Sequence, residues 1–172
     1  MTTHPKIVIS DSSVLMDLAK VELIEPVLEL PFSFLIPDVI HASELLDLGR
    51  YNAADLVSLG FEIGNLDADN TQHAIGYYRQ NRNKLSMNDC FALRLTEVHS
   101  GILMSGDADL RKLAQSMGVE VHGVLWTIEL LDSHKKCSCS HLASCLTKLH
   151  SDPCSRLPKA AVRALLGKLT RN

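Results

Sequence analysis

Short apolar runs alternate along the chain with segments in which apolar residues recur at helical spacing. Runs of this kind, bounded by turn-forming residues, are typical of strands that are covered on both faces. The predicted strands are residues 6–10, 32–36, 61–63, 102–104 and 119–121. Because helical segments separate them, the pattern predicts an α/β fold with a doubly wound parallel sheet.

The intervening segments are predicted helices. A helical pattern covers residues 14–30, where Pro26 is expected to bend or divide the helix and Pro31 to end it. Another helix is expected from Pro37 to about Leu48. Further helices are predicted over residues 52–59, 71–81 and 125–131, and after Ser86 and Asp107.

The pattern changes after residue 133, where helical segments continue but no further strand-like run occurs. Two helices are predicted there, over residues 141–149 and 158–169. The chain is therefore expected to consist of a main domain, residues 1–133, and a helical extension, residues 134–172. We expect this extension to form a hairpin that packs on the main domain or on a partner.

Composition indicates an ordinary globular protein rather than a disordered or membrane-spanning one. The 172 residues are 46% hydrophobic and 22% charged, and Glu25 and Glu29 interrupt the longest apolar stretch. The N-terminal residues lead directly into a strand-like run, which argues against a secretory signal. We therefore expect a soluble cytoplasmic protein.

Five cysteines are present, and four of them cluster in the predicted hairpin: Cys137, Cys139, Cys145 and Cys154. The paired Cys-x-x-Cys spacing of common zinc sites is missing, although His141 and His150 lie nearby. We expect reduced thiols without a metal or a disulfide. The apolar stripe of the hairpin should be Leu142, Leu146 and Leu149.

Four acidic residues from separate segments are the candidate functional residues. Asp11 and Asp107 each follow a predicted strand, whereas Glu44 and Asp89 lie on helices that enter the same edge of the sheet. Clustered carboxylates repel one another unless a cation is present. A cluster without His or Cys suits Mg²⁺ or Mn²⁺, and Asp109 is a candidate fifth ligand.

Three of the acids also have a purely structural explanation. Asp89 could complete a capping box with Ser86, and Asp107 could be an ordinary helix N-cap. Glu44 shares a helix side with Ile40 and could be a glutamate whose stem lies on the core. Ser12 or Ser13 could cap the first helix after Asp11. The case for function therefore rests on the recurrence of the acids rather than on any one of them.

The net charge of −3, from 17 basic and 20 acidic residues, is unusual for a protein that binds nucleic acid. Leaving out the five candidate acids gives 17 − 15 = +2 for the remainder, so an acidic pocket can lie within a mildly basic surface. Arg79, Arg82 and Lys84 could contact a phosphate backbone. The alternative is a solvated helix end, favoured by the helix dipole.

The chain resembles the PIN-domain nucleases, particularly their bacterial and archaeal toxin-like branch. The matching segments contain the four acids in order: IVISDSSVL, IPDVIHASEL, LSMNDCFALRL and ILMSGDADLRKLAQSMGVEVHG. They cover most of residues 6–131. The tail segments SHLASCLTKLHSD and RLPKAAVRALL also resemble a helical extension found in one uncharacterised subgroup.

This resemblance implies a three-layer α/β/α sandwich and Mg²⁺- or Mn²⁺-dependent cleavage of RNA. It makes Asp11, Glu44, Asp89 and Asp107 the catalytic and metal-binding quartet, with Asp109 as an accessory acid. It also implies a toxin held by an antitoxin protein, and we expect a homodimer. Ser105, where many members have Thr, joins Ser12, Arg79, Arg82 and Lys84 as the expected substrate-binding residues.

Three other interpretations compete with this one. A haloacid-dehalogenase-like phosphatase needs an Asp-x-Asp after its first strand, whereas this chain has Asp11-Ser12-Ser13. A phospho-receiver domain needs paired acids at the same place, and they are absent from the sequence. A PIN-like module that binds RNA or protein without cleavage would not need all four acids.

Overall fold

Five short parallel strands form the centre of the structure, a computed structural model that describes residues 5–42 and 48–171. The strand order is β3-β2-β1-β4-β5, and every neighbouring pair is parallel. The predicted α/β fold with a parallel sheet is thus confirmed. The strands are β1 (Lys6–Ser10), β2 (Phe32–Pro37), β3 (Glu62–Gly64), β4 (Ile102–Met104) and β5 (Glu120–His122).

Helices follow the strands and cover the sheet. The helices of the main domain are α1 (Ser12–Lys20), α2 (Ile24–Leu28), α3 (Asp38–His41), α4 (Ala53–Leu59), α5 (Ala68–Asn81), α6 (Met87–Val98), α7 (Ala108–Ser116) and α8 (Val124–Ser133). The extension contains α9 (Cys139–Ser151) and α10 (Lys159–Leu169). In the described part of the chain, none of these helices is long and apolar enough to cross a membrane.

The strand order reverses between β1 and β4, which are direct neighbours in the sheet. Ser10 pairs with Met104, and the backbone N–H of Asp11 donates to the Met104 carbonyl at 3.0 Å. The residues that follow these two strands are therefore neighbours as well. Open α/β sheets bind ligands at such a reversal, outside the carboxyl ends of the strands.

Helix α6 places its first turn at the same edge of the sheet. It packs on β1, β2 and β4 with Cys90, Ala92, Leu93 and Leu95 buried. A helix that leads into a parallel strand begins at the carboxyl edge of the sheet and runs back along it. Asp89, in the first turn of α6, consequently lies on the side where Asp11 follows β1.

The helix predicted over residues 14–30 is divided, but not at Pro26. Helix α1 ends at Lys20, and Glu22 adopts a positive φ of 57° before α2 begins at Ile24. Pro26 lies within the first turn of α2, where its missing N–H removes no intrahelical hydrogen bond. The expectation that Pro26 bends or divides the helix was therefore wrong.

The helix predicted from Pro37 to Leu48 is seen only in part. Helix α3 covers Asp38–His41. Residues 43–47, which include Glu44, lie outside the described residues.

The extension is a helical hairpin that packs on the main domain through α8. Helices α9 and α10 contact each other and α8. Leu142, Leu146 and Leu149 are buried in α9, so the predicted apolar stripe is confirmed. Their burial joins the extension to the same hydrophobic core as the sheet.

Close packing of β1 against β4 can be tested at Gly101, which immediately precedes β4. A Cβ atom there would lie 2.8 Å from the Ile7 carbonyl oxygen and 2.9 Å from Ile9 Cδ1. Gly101→Ala should therefore destabilise the protein by about 1–3 kcal/mol, as overpacked sites do. Gly76 in α5 has no heavy atom within 4 Å of its Cβ position, so Gly76→Ala should stabilise by about 0.5–1 kcal/mol.

Urea denaturation of both variants and the parent protein gives the two free energies of unfolding. Equal stability of the two alanine variants would contradict the packing described for β1 and β4.

Candidate carboxylate site at the sheet edge

Asp11 lies at the centre of the candidate site and is buried, with 1% of its surface exposed. It is the N-cap of α1, and its Oδ1 accepts hydrogen bonds from the Val14 N–H at 3.0 Å and the Ser13 hydroxyl at 2.7 Å. The expectation that Ser12 or Ser13 caps this helix was wrong. A carboxylate at the strand end already fills that position, because its oxygen reaches the third helical N–H.

Two serine hydroxyls connect Asp11 with the loop after β4. Ser13 Oγ accepts a hydrogen bond from the Gly106 N–H at 3.0 Å while it donates to Asp11. Ser105 Oγ bonds to the Asp11 side chain and accepts from the Asp107 N–H at 3.1 Å. The two loops are thus held together by hydrogen bonds directly beyond the strands.

Asp107 occupies the position after β4 that corresponds to Asp11 after β1. It is the N-cap of α7, and its Oδ1 accepts from the Leu110 N–H at 2.8 Å. Its second oxygen accepts no hydrogen bond from the residues that the structure describes. The cap therefore orients the carboxylate and leaves one oxygen available.

Asp89 shows the same arrangement on α6. Its Oδ2 accepts from the Ser86 N–H and the Ser86 hydroxyl, both at 2.7 Å, while Ser86 Oγ accepts from the Asp89 N–H at 3.1 Å. This is the capping box that the sequence suggested. Within the described residues, no hydrogen bond reaches Oδ1, so capping and ligand binding by Asp89 are compatible.

The electrostatics of the site centre on the buried Asp11. Burial raises the pKa of Asp11 from 3.8 to about 6. Hydrogen bonds from Ser105, Val14 and Ser13 act in the opposite direction and lower this pKa, but their effect is smaller than that of burial. The negative charge of Asp89 makes a smaller contribution that also raises this pKa. A cation near them would remove the penalty on the ionised form.

The carboxylates of Asp11, Asp89 and Asp107 suit a hard divalent cation, since such ions prefer oxygen ligands. As the side chains lie here, however, no three His, Cys, Asp or Glu residues within 5–42 and 48–171 form a group that could hold a metal ion together. Glu44 is outside these ranges. The arrangement seen is a set of capped carboxylates at one edge of the sheet rather than a closed ligand set.

The other candidate residues differ in exposure. Asp109, in the first turn of α7, is partly exposed, and its carboxylate accepts no hydrogen bond from the described residues. Ser12 is partly exposed, whereas Ser105 is fully buried. Because its hydroxyl bonds to Asp11 and Asp107, Ser105 positions the acids and is not accessible to a substrate in this structure. The exposed bases at the end of α5 are Arg79, Arg82 and Lys84.

Sequence reasoning missed two residues that order this site. One is Ser13, which bridges Asp11 and Gly106 across 93 positions of sequence. The other is Arg111, whose Nη1 donates to the Ser105 carbonyl at 3.1 Å. No local pattern marks the Ser13 contact, because it depends on the adjacency of β1 and β4 in the sheet. The Arg111 contact spans only six positions, from the end of β4 to α7.

Two of the free cysteines of the extension, Cys139 and Cys145, have hydrogen-bond partners among the described residues. Cys145 Sγ lies 3.6 Å from His141 Nε2 and bonds to the Val21 carbonyl at 3.5 Å. Cys139 Sγ bonds to Asp132 at 3.3 Å. Burial raises the pKa of the Cys145 thiol, which favours an unreactive neutral group.

Comparison with known proteins gives a matching family and similar solved structures. A family model described as a PIN domain matches residues 7–171, which includes the extension. Among solved structures, a PilT N-terminus domain protein from the hyperthermophilic archaeon Sulfolobus solfataricus P2 is similar, with 14% identity and a TM-score of 0.48. The similarity covers 74% of this chain and 92% of that chain. No curated protein matches this chain.

Burial of Asp11 predicts a specific dependence of stability on pH. A carboxyl group whose pKa is higher in the folded than in the unfolded state stabilises the folded state at low pH, and this contribution is lost as pH rises from about 3.8 to about 6. The loss amounts to about 3 kcal/mol. Asp11→Asn retains an oxygen for the cap and carries no charge, so this variant should be more stable than the parent above about pH 7 in EDTA.

The measurement is the free energy of unfolding by urea above about pH 7 and again near pH 4. Asp67→Asn is the matched control, because Asp67 is an exposed N-cap that accepts from the Asn70 N–H. The increase in the free energy of unfolding caused by Asp11→Asn should be smaller at the lower pH. Asp67→Asn should show no such difference between the two pH values. A gain that is absent, or equal at both pH values, would refute the assignment of Asp11 as a destabilising buried carboxylate.

Proposed function

Because the chain belongs to the PIN-domain family, we propose that it is a divalent-metal-dependent nuclease that hydrolyses RNA. The observation that carries this proposal is the buried Asp11 carboxylate at the β1–β4 reversal, with its pKa raised by burial and by the charge of Asp89. A purely structural N-cap gains nothing from burial, since exposed residues such as Asp67 cap helices equally well. Burial of a charge is expected where a cation binds.

The proposed ligands of Mg²⁺ or Mn²⁺ are Asp11, Glu44, Asp89 and Asp107, with Asp109 as an accessory acid. The unused oxygens of Asp89 and Asp107 support this assignment, because each can bind a cation without loss of its cap. When bound, the cation would make water a stronger nucleophile and stabilise negative charge on the scissile phosphate.

The protein itself contributes an electrostatic environment suited to phosphate. Asp11, Asp89 and Asp107 each lie in the cap or first turn of a different helix, namely α1, α6 and α7. Helix N-termini carry partial positive charge and favour anions. They lower the cost of gathering carboxylates and would attract a phosphate once the carboxylate charge is balanced.

Basic and hydroxyl groups near these acids are the proposed first contacts with RNA. Arg79, Arg82 and Lys84 precede the Ser86 cap of α6, and all three are exposed. We assign them to the phosphate backbone, and Ser12 to substrate contact beside Asp11. Ser105 is reassigned to holding Asp11, because its side chain is buried.

A second candidate function is an RNA-binding or protein-binding PIN module without cleavage. The capping hydrogen bonds favour it, since they account for Asp11, Asp89 and Asp107 without any metal. The two functions differ in one outcome, because a binding module would retain RNA intact in the presence of Mg²⁺.

The biological setting proposed from the resemblance is a cytoplasmic toxin held by an antitoxin, with the nuclease as a homodimer. A neighbouring reading frame for a small protein that copurifies with this chain and blocks cleavage would support it. A chain that purifies alone and whose expression does not slow growth would contradict the toxin role but leave the nuclease proposal intact.

Cleavage should require Asp89 and not merely a capped α6. The chain offers a matched control, because Asp55 occupies the same capping-box position in α4 and accepts from the Asn52 N–H at 2.8 Å. Asp89→Asn should reduce Mg²⁺-dependent RNA cleavage by about 100-fold or more, since loss of metal-bound charge stabilisation costs several kcal/mol and about 1.4 kcal/mol is tenfold in rate. Asp55→Asn should leave cleavage unchanged.

Melting temperatures of both variants should fall by a similar small amount, because each substitution weakens one capping box. EDTA should abolish cleavage by the parent protein. Cleavage that survives Asp89→Asn, or that falls equally in both variants in step with melting temperature, would favour the structural role of Asp89 and the non-cleaving module.

A further inference from the structure

A groove of about 980 Å³ begins at the carboxylate site and continues to the C-terminal extension. Gly106 and Asp107 line its start, and its far wall is formed by residues of the extension, namely Pro153, Cys154, Arg156, Leu157 and Pro158. Its volume is at the upper end of the roughly 300–1,000 Å³ range of small-molecule pockets. The groove is therefore large enough for more than the single phosphate group that the acids would bind.

Charge in this groove complements a polyanion. Among the residues that the structure describes, its lining contains four cations, Lys20, Arg111, Lys112 and Arg156, and two acids, Asp17 and Asp107. Lys20 is paired with Asp152 at 2.7 Å, and Arg111 donates to Ser105. Lys112 and Arg156 are exposed and form no ion pair with the described part of the chain, so both are available to a ligand.

One wall of the groove is aromatic. The rings of His122 and Trp126 stack with centroids 4.4 Å apart and an interplanar angle of 9°, and both side chains are partly exposed. Trp126 also packs against Phe32, and His122 Nε2 lies 3.0 Å from Glu120 Oε1, so the pair is held in place. Fixed aromatic surfaces beside cations are the features with which proteins bind single-stranded nucleic acid.

The extension wall is anchored to α1, the helix that Asp11 caps. Ser155 Oγ donates to the buried Asp17 at 2.5 Å. Lys148 Nζ donates to the Lys20 carbonyl at 2.7 Å, and Lys20 pairs with Asp152. Arg156 directly follows Ser155, so its backbone position is fixed relative to the carboxylate site.

We propose that this groove binds the single-stranded RNA that flanks the scissile phosphate, with Lys112 and Arg156 contacting phosphates and the His122–Trp126 pair stacking against an unpaired base. The proposal rests on the nuclease function proposed above, because a strand held at Asp107 has to continue along the groove that starts there. It assigns the extension a part in substrate binding. RNA is favoured over an acidic protein segment because the groove combines a planar stacking surface with cations and is continuous with the proposed site of phosphate cleavage.

The test is binding of a short mixed-sequence single-stranded RNA by fluorescence anisotropy at several salt concentrations. Every protein carries Asp89→Asn, so that the RNA stays intact in Mg²⁺. Adding Lys112→Ala and Arg156→Ala should weaken binding by about tenfold or more and lower the slope of log affinity against log salt by about 1.4, which corresponds to two lost phosphate contacts. His122→Ala should weaken binding by about tenfold with little change in that slope.

The matched control is the pair Arg163→Ala and Lys168→Ala, which removes the same charge from α10 outside this groove. It should change neither affinity nor slope. Equal effects of the two pairs, or no RNA binding by the Asp89→Asn parent, would overturn the proposal. The proposal would also be overturned if another protein copurified with the chain and was released by Lys112→Ala and Arg156→Ala while the affinity for RNA stayed unchanged.

Failure of the nuclease function has a different signature. If the wild-type protein does not cleave RNA but binding still depends on Lys112 and Arg156, the groove assignment stands and the nuclease proposal falls. If cleavage is normal in the groove variants and their RNA affinity is unchanged, the nuclease proposal stands and the groove assignment falls.

Discussion

Burial of the Asp11 carboxylate between β1 and β4 is the constraint on which the arrangement of the site depends. Asp11 caps α1 by accepting a hydrogen bond from the Val14 N–H, and it also accepts one from the Ser13 hydroxyl. It bonds to Ser105 in the neighbouring loop as well. These contacts fix the two loops beyond the strand reversal relative to each other. They do so at an electrostatic cost, because burial disfavours the charged form that the cap itself prefers.

Capping and metal binding are often treated as competing explanations for an acid at a helix start, yet this geometry allows both. A cap requires one carboxylate oxygen, and a ligand requires the other. In Asp89 and Asp107 the capping oxygen is engaged, and within the described residues the second oxygen accepts no hydrogen bond. The cap then limits the rotation of the side chain, so that less conformational entropy is lost when a cation binds.

The sequence was sufficient to predict the sheet and the positions of three acids at its carboxyl edge. Apolar runs such as Ile102–Met104 indicate buried strands directly, and a carboxylate that follows such a run has to lie at the strand end. The C-terminal hairpin was predictable for the same reason, because Leu142, Leu146 and Leu149 recur on one helix face. These features depend on local periodicity alone.

Other features depend on contacts between distant segments and had no local signal. The bridge from Asp11 through Ser13 to Gly106 requires the adjacency of β1 and β4, and the groove requires the anchoring of Ser155 on Asp17. The break after Lys20 was misplaced because Pro26 is the more conspicuous residue, whereas the backbone turns at Glu22 with a positive φ.

The central claim is that a divalent cation binds among the carboxylates at the β1–β4 reversal. The most direct measurement is anomalous diffraction from crystals of the protein soaked in Mn²⁺. We expect a single anomalous peak within coordination distance of Asp11, Asp89 and Asp107, and we expect it to disappear in crystals of Asp11→Asn. A peak elsewhere, or no peak at Mn²⁺ concentrations that support RNA cleavage, would contradict this claim.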